Sequence, residues 1–128
     1  MDDPTLERII TTEDFLKLLR QQFSITRIYY PGASVDDTLE CAFESREITY
    51  LDNEISGFVK EFNKGRNYIW GDFGKSPFPD GIFDAVFYED IHATKRELAE
   101  ILRALRKGGV VIHSTDYCEG LEGLKMLE

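Results

Sequence analysis

Acidic side chains recur just past the ends of short apolar runs in this chain. Asp36 and Asp37 lie beyond Ile25–Tyr30 and its Pro31-Gly32 break, Asp52 follows Ile48–Leu51, and Asp72 follows Tyr68–Trp70. Glu89 and Asp90 follow Phe83–Tyr88. An ionised carboxylate accepts hydrogen bonds, attracts cations and can act as a base. A site ringed by such groups favours a ligand with positive charge and opposes one carrying phosphates. Two unit charges about 6 Å apart interact by roughly 3 kcal/mol at an effective dielectric near 20, before salt screening. Glu89, Asp90 and His92 are the candidates for a general base toward an oxygen or nitrogen nucleophile. A solvated acidic loop with a histidine near a helix cap is the competing reading. His113, Asp116, Tyr117 and Cys118 come later and show no metal-ligand spacing, so no metal is expected.

The elements that must carry these groups alternate. Thr11 or Thr12 can cap a first helix with an apolar stripe of Phe15, Leu16, Leu18 and Leu19. Ile25–Tyr30 reads as a strand, and Pro31-Gly32 as its turn. Ser34 is placed to cap a second helix that buries Val35, Leu39 and Ala42, with Asp36 and Asp37 in its first turn. Ile48–Leu51 is a second strand. Ile55, Phe58, Val59 and Phe62 fall at amphipathic helix spacing up to a stop at Gly65. Tyr68–Trp70 is a third strand and Gly71–Gly81 a loop. Phe83–Tyr88 is a fourth strand, with Asp84 opening it in a structural role. Leu98, Ile101, Leu102 and Leu105 mark another helix, ended by Gly108-Gly109 before a fifth strand, Val110–Ile112. Leu121, Leu124 and Leu127 make a weak helical stripe in the tail, while Trp70 and the many phenylalanines are expected in the core. Strands alternating with amphipathic helices imply right-handed crossovers and a mainly parallel α/β sheet covered on both faces.

With 128 residues, 42% of them hydrophobic, the chain suits one domain. Its formal charge of −9 argues against nucleic acid and anionic membrane surfaces. Lys95, Arg96, Arg103, Arg106 and Lys107 alternate with Glu97 and Glu100, the pattern of a solvated helix face. Cys41 and Cys118 make no disulfide framework, and no apolar run reaches the length of a membrane span. A cytoplasmic protein is expected.

Four segments together resemble the class I S-adenosylmethionine-dependent methyltransferases. They are Ile28-Tyr29-Tyr30-Pro31-Gly32-Ala33-Ser34, Ile48-Thr49-Tyr50-Leu51-Asp52, the stretch Gly71-Asp72-Phe73 continuing to Pro77–Val86, and Leu102–Ile112 with its Lys107-Gly108-Gly109. The resemblance spans roughly residues 25–116. It implies a three-layer αβα Rossmann-like sandwich of about five mainly parallel strands in the order 3-2-1-4-5, without the family's usual last two strands. It divides the chain into an N-terminal helix (1–24), a core (25–116) and a tail (117–128). The tail or a second copy is expected to cover the edge of the fifth strand.

The resemblance also implies S-adenosylmethionine as cofactor. Its binding residues would be Gly32, Ser34, Asp52, Asn53, Asp72 and Phe73. Gly32 would let the backbone approach the ligand, Asp52 would accept both ribose hydroxyls, and Asp72 would accept the adenine amine with Phe73 assisting. Each has a plain structural counterpart: a turn glycine, a capping Asp and a turn-forming Asp. Ser34 and Asp36 stand where the family usually has glycines, and Lys107 where proline is common. Three readings stay open. The first is methyl transfer to an unspecified small-molecule or protein acceptor. The second is a non-catalytic binding or interaction module on the same fold. The third is some other Rossmann-like nucleotide binder, although Gly-x-Gly-x-x-Gly is absent.

Overall fold

In the computed structural model, which describes residues 12–54, 56–89, 93–114 and 124–127, five short apolar segments lie side by side as a parallel sheet. The elements are α1 (Thr12–Gln22), β1 (Ile28–Pro31), β2 (Ile48–Asp52), α2 (Gly57–Phe62), β3 (Tyr68–Trp70), β4 (Phe83–Glu89), α3 (Lys95–Arg103), β5 (Leu105–Ser114) and β6 (Leu124–Leu127). The strand order is β3-β2-β1-β4-β5-β6. The five expected strands thus take the order 3-2-1-4-5, and β6 pairs antiparallel with β5, Val111 opposite Leu127.

Alternation along each strand divides the core in two. Ile28, Tyr30, Ile48, Tyr50, Phe87 and Ile112 point to the face covered by Leu16 and Leu19 of α1. Tyr29, Leu51, Val86 and Val111 point to the other, against Ile101 of α3 and the rings of Phe78 and Phe83. A strand covered on both faces needs no polar alternation, which is why these runs are continuously apolar. Full burial of Leu16 or Leu19 contributes about 1.5–3 kcal/mol each.

Asp84 fastens the amino edge. Its Oδ2 accepts from the Thr26 and Arg27 amides at 2.9 and 3.0 Å and from the Thr26 hydroxyl at 3.0 Å. Arg106 Nε donates to its Oδ1 at 2.8 Å. Burial alone would raise this carboxyl's pKa, but the bonds from Thr26, Arg106 and Arg27 bring it below the ordinary value. The structural role expected for Asp84 is present in the form of this junction.

Several elements differ from expectation. No α-helix follows β1; the connection to β2 holds only the single 3-10 turns Thr38–Cys41 and Ser45–Glu47, and Ser34 caps no helix. Asp36 Oδ1 accepts from the Thr38 hydroxyl and amide at 2.7 and 3.3 Å, a local arrangement that competes with helical bonds. α2 starts at Gly57, where Ser56 Oγ accepts from the Val59 amide, and stops at Phe62. It buries Val59 while Phe58 and Phe62 are exposed; Ile55 lies outside the described residues. Asn63 Nδ2 donates back to the Val59 carbonyl at 2.9 Å and ends the helix before an amphipathic face can develop. Trp70, expected in the core, is exposed on edge strand β3.

α3 ends at Arg103, so Leu105 and Gly108-Gly109 belong to β5 rather than to a helix and its stop. The register there jumps from Phe83 opposite Leu105 to Ala85 opposite Val110, with Gly108 at φ +79° inside the irregularity. The tail's leucines form no helix where they are described: Leu124 and Leu127 bound β6. An open β5 edge offers a row of unpaired backbone groups, and an antiparallel strand satisfies them. Here β6, from the tail, covers that edge.

Candidate functional site at the carboxyl edge of the sheet

β1, β2 and β3 are parallel neighbours, so their carboxyl ends lie together. The turn after β1 is pulled onto the end of β2. The Gly32 amide donates to the Leu51 carbonyl at 2.7 Å, and the Ser34 amide donates to Asp52 Oδ2 at 2.7 Å. Beyond β3, the Gly71 amide donates to the Asp52 carbonyl at 2.9 Å. The Gly32–Ser34 turn, Asp52 and the backbone at Gly71 are thus linked at one edge of the sheet.

The turn needs unusual backbone. Gly32 sits at φ +71° and Ser34 at +49°. Glycine takes the left-handed region freely, whereas serine there costs roughly 1–2 kcal/mol. Three bonds hold Ser34 in place: its amide to Asp52, its hydroxyl to Glu54 Oε1 at 3.2 Å, and its carbonyl from Asn63 Nδ2 at 2.7 Å.

Asp52 is buried, yet both its oxygens are engaged, since Oδ1 also accepts from the Glu54 amide at 3.1 Å. A carboxylate offers about four lone-pair positions, so these two bonds leave acceptor capacity for a diol. Asn53 is exposed, and its carbonyl accepts from the Trp70 indole at 2.9 Å. Asp72 is exposed and caps the 3-10 turn Phe73–Lys75, its Oδ1 accepting from the Gly74 amide at 2.8 Å. Phe73 packs partly buried against the second core cluster. A Cβ added at Gly71 would meet only Leu51 Cδ1, at 3.8 Å, so the backbone beyond β3 has open space above it.

Asp36 belongs to the supports of the site. Tyr30 donates its hydroxyl to Asp36 Oδ2 at 2.5 Å, and Tyr50 donates to Glu40 Oε2 at 2.9 Å. Burial first, and then these acidic partners, push both phenols well above their ordinary pKa. Glu89 ends β4 and acts electrostatically on Tyr30. Asp90, His92, Asp116, Tyr117 and Cys118 lie outside the described residues, and the His113 ring lies tilted at 31° to that of Tyr88, 4.7 Å between ring centres. Sequence reasoning missed Arg66, Asn63, Glu40 and Glu54, which fix the turn. Their types and spacing are those of ordinary surface positions, so no local signal singles them out.

Open cavities with described walls lie at the opposite, amino edge. One of about 430 Å³ is lined by Lys17, Arg20, Gln21, Ser24, Ile25 and Thr26. It holds none of the residues expected to carry chemistry.

A parallel sheet ordered β3-β2-β1-β4-β5, with a tight turn after β1 and acids closing β2 and β3, is a Rossmann-like fold. The family model described as a methyltransferase domain matches residues 32–113, and the chain belongs to that family. S-adenosylmethionine is the cofactor that membership implies. The fold is similar to that of a SAM-dependent methyltransferase from Thermotoga maritima, at 21% identity and TM-score 0.56 over 85% of this chain and 56% of that one. It is also similar to the trans-methyltransferase CalH in complex with SAH, at 18% identity and TM-score 0.61 over 79% and 35%. The [4+2]-cyclase SpnF is similar as well, at 18% identity and TM-score 0.57 over 79% and 44%. The chain therefore spans about half, or less, of the length of these solved structures. Among curated proteins none matches this sequence. Among the described residues no helix is long and apolar enough to cross a membrane.

Proposed function

We propose that this chain binds S-adenosylmethionine at the carboxyl edge of β1–β3 and serves methyl transfer to a small-molecule or protein acceptor. Gly32, Ser34, Asp52, Asn53, Asp72 and Phe73 are the contacts in this reading. The observation that carries it is the convergence of the Gly32–Ser34 turn, Asp52 and the Gly71-Asp72 segment through three short hydrogen bonds. The acids suit the cofactor: Asp52 and Asp72 close β2 and β3 at the edge that would receive its cationic end in this reading. When bound, the cofactor supplies an electrophilic methyl group. The protein's task is alignment of the acceptor with it, and Glu89, Asp90 and His92, which follow β4 in the sequence, are the candidates for accepting a proton.

Residues 1–128 act in this reading as one cytoplasmic domain that avoids nucleic acid because of its acidity. Calorimetric titration with S-adenosylmethionine and S-adenosylhomocysteine tests it. Binding that disappears in Asp52→Ala is the expected result. No heat and no thermal shift at millimolar ligand would overturn it. That outcome would favour a non-catalytic module, a reading supported by the Ser34 and Glu54 amides already engaging both oxygens of Asp52.

A further inference from the structure

The connection from β1 to β2 carries the Gly32–Ser34 turn but has no α-helix to satisfy its own backbone and fix its course. It also gathers Asp36, Asp37 and Glu40 in a short stretch, whose mutual repulsion opposes a settled conformation. One cation answers both problems. Arg66 lies in the turn between α2 and β3, with its side chain only 10% exposed. Its Nη2 pairs with Glu40 Oε2 at 2.6 Å, and its Nη1 donates to the Asp36 carbonyl at 3.2 Å and to Asn63 Oδ1 at 3.0 Å. The flat guanidinium lies against the rings of Tyr50 and Phe62, at 4.9 and 4.6 Å from their centres. Asn63, oriented by that bond, donates to the Ser34 carbonyl at 2.7 Å.

We propose that Arg66 is the positioning residue of the cofactor turn, standing in for the missing helix by tying the β1–β2 connection to β2 and α2. The inference rests on the cofactor reading for its functional half only. The path is short: Arg66 orients Asn63, Asn63 holds the Ser34 carbonyl, and the Ser34 amide is thereby aimed at Asp52. Lysine replaces it only in part, because a single ammonium keeps the charge but cannot reach the whole forked set of acceptors or cover the rings of Tyr50 and Phe62 as a guanidinium does.

The test compares Arg66→Met and Arg66→Lys with the parent by amide hydrogen exchange and by calorimetry with S-adenosylhomocysteine. In Arg66→Met the Ser34 amide is expected to exchange about tenfold faster while the Val86 and Ile112 amides keep their rates. Affinity for S-adenosylhomocysteine is expected to fall about tenfold, with Arg66→Lys between the two. A uniform acceleration of all amides with unchanged affinity would reduce Arg66 to general stability and overturn the proposal. So would an unchanged Ser34 rate. If Arg66→Met does not fold, Glu40→Gln, which keeps an acceptor for Tyr50, is read by the same two measurements. If the parent protein itself binds no S-adenosylhomocysteine, the cofactor reading fails, and the exchange arm still decides the role of Arg66.

Discussion

The Ser34 amide donates to the Asp52 carboxylate at 2.7 Å, closing the turn after β1 onto the end of β2. Asp52 is 7% exposed and also accepts from the Glu54 amide, so one carboxylate satisfies two backbone donors at adjacent strand ends. Asp52→Ala leaves both donors without that partner and is expected to cost about 1–3 kcal/mol in urea unfolding. Asp52→Asn keeps one acceptor oxygen and should cost less. A variant as stable as the parent would show that the turn holds itself without Asp52.

How the site could be read from sequence follows from the same contact. Gly32, Asp52 and Asp72 were legible because each ends an apolar run, and parallel strands must bring such ends to one edge. The parallel sheet was legible through the alternation, and the strand order only through the family resemblance. The β1–β2 connection was not. Val35, Leu39 and Ala42 have helical spacing, yet Asp36 bonds to Tyr30 and Thr38 instead of leaving the backbone to coil. Arg66 was equally hidden, because its partners Glu40, Tyr50 and Asn63 are brought to it only by the tertiary fold. The tail misled for a related reason: three leucines at helical spacing carry less weight than an unpaired β5 edge.

Asp84 makes stability depend on acid. Its folded pKa lies below the ordinary carboxylate value, held down by bonds from Thr26, Arg106 and Arg27 against the opposing effect of burial. A depressed folded value means the stabilisation is complete above the unfolded pKa of about 4 and is lost as pH falls through the folded value. Asp84→Asn should lower stability at neutral pH and flatten the loss below about pH 4. Urea midpoints measured across that range check it, and an unchanged acid slope would count against the junction between the β1 entry and β5.

Two adjacent tyrosines should respond in opposite directions. Tyr29 is fully buried, and its hydroxyl has no hydrogen-bond partner among the described residues. Tyr30 donates its hydroxyl to Asp36. Tyr29→Phe is expected to stabilise the protein by about 1 kcal/mol by removing an unsatisfied group, and Tyr30→Phe to destabilise it by a similar amount. Burial raises both phenols above their ordinary pKa, with the Asp36 bond adding to the shift at Tyr30. The stabilisation from keeping them neutral is present below the unfolded value of about 10 and is lost as pH rises beyond it toward the folded values. Each phenylalanine variant should therefore lose part of the alkaline destabilisation, which chemical unfolding between neutral pH and mild alkali would measure. Equal signs for the two stability changes would contradict the hydrogen-bond assignment.

The irregular start of β5 depends on Gly109 for space rather than for a special dihedral. A Cβ there would lie 2.6 Å from Leu105 Cδ1, 2.8 Å from Leu105 Cγ and 2.9 Å from the Arg106 carbonyl oxygen. The leucine is a side chain and can move; the carbonyl belongs to the backbone of the same irregular segment and cannot move alone. Gly109→Ala is expected to cost about 1–3 kcal/mol through overpacking. Adding Leu105→Ala removes the side-chain clash but not the carbonyl contact, so the double variant should recover only part of the coupling in a double-mutant cycle. Full recovery would locate the whole conflict at Leu105 and show that the backbone around Arg106 can shift freely. No effect from Gly109→Ala would mean that β5 begins in a different register opposite Phe83 and Ala85.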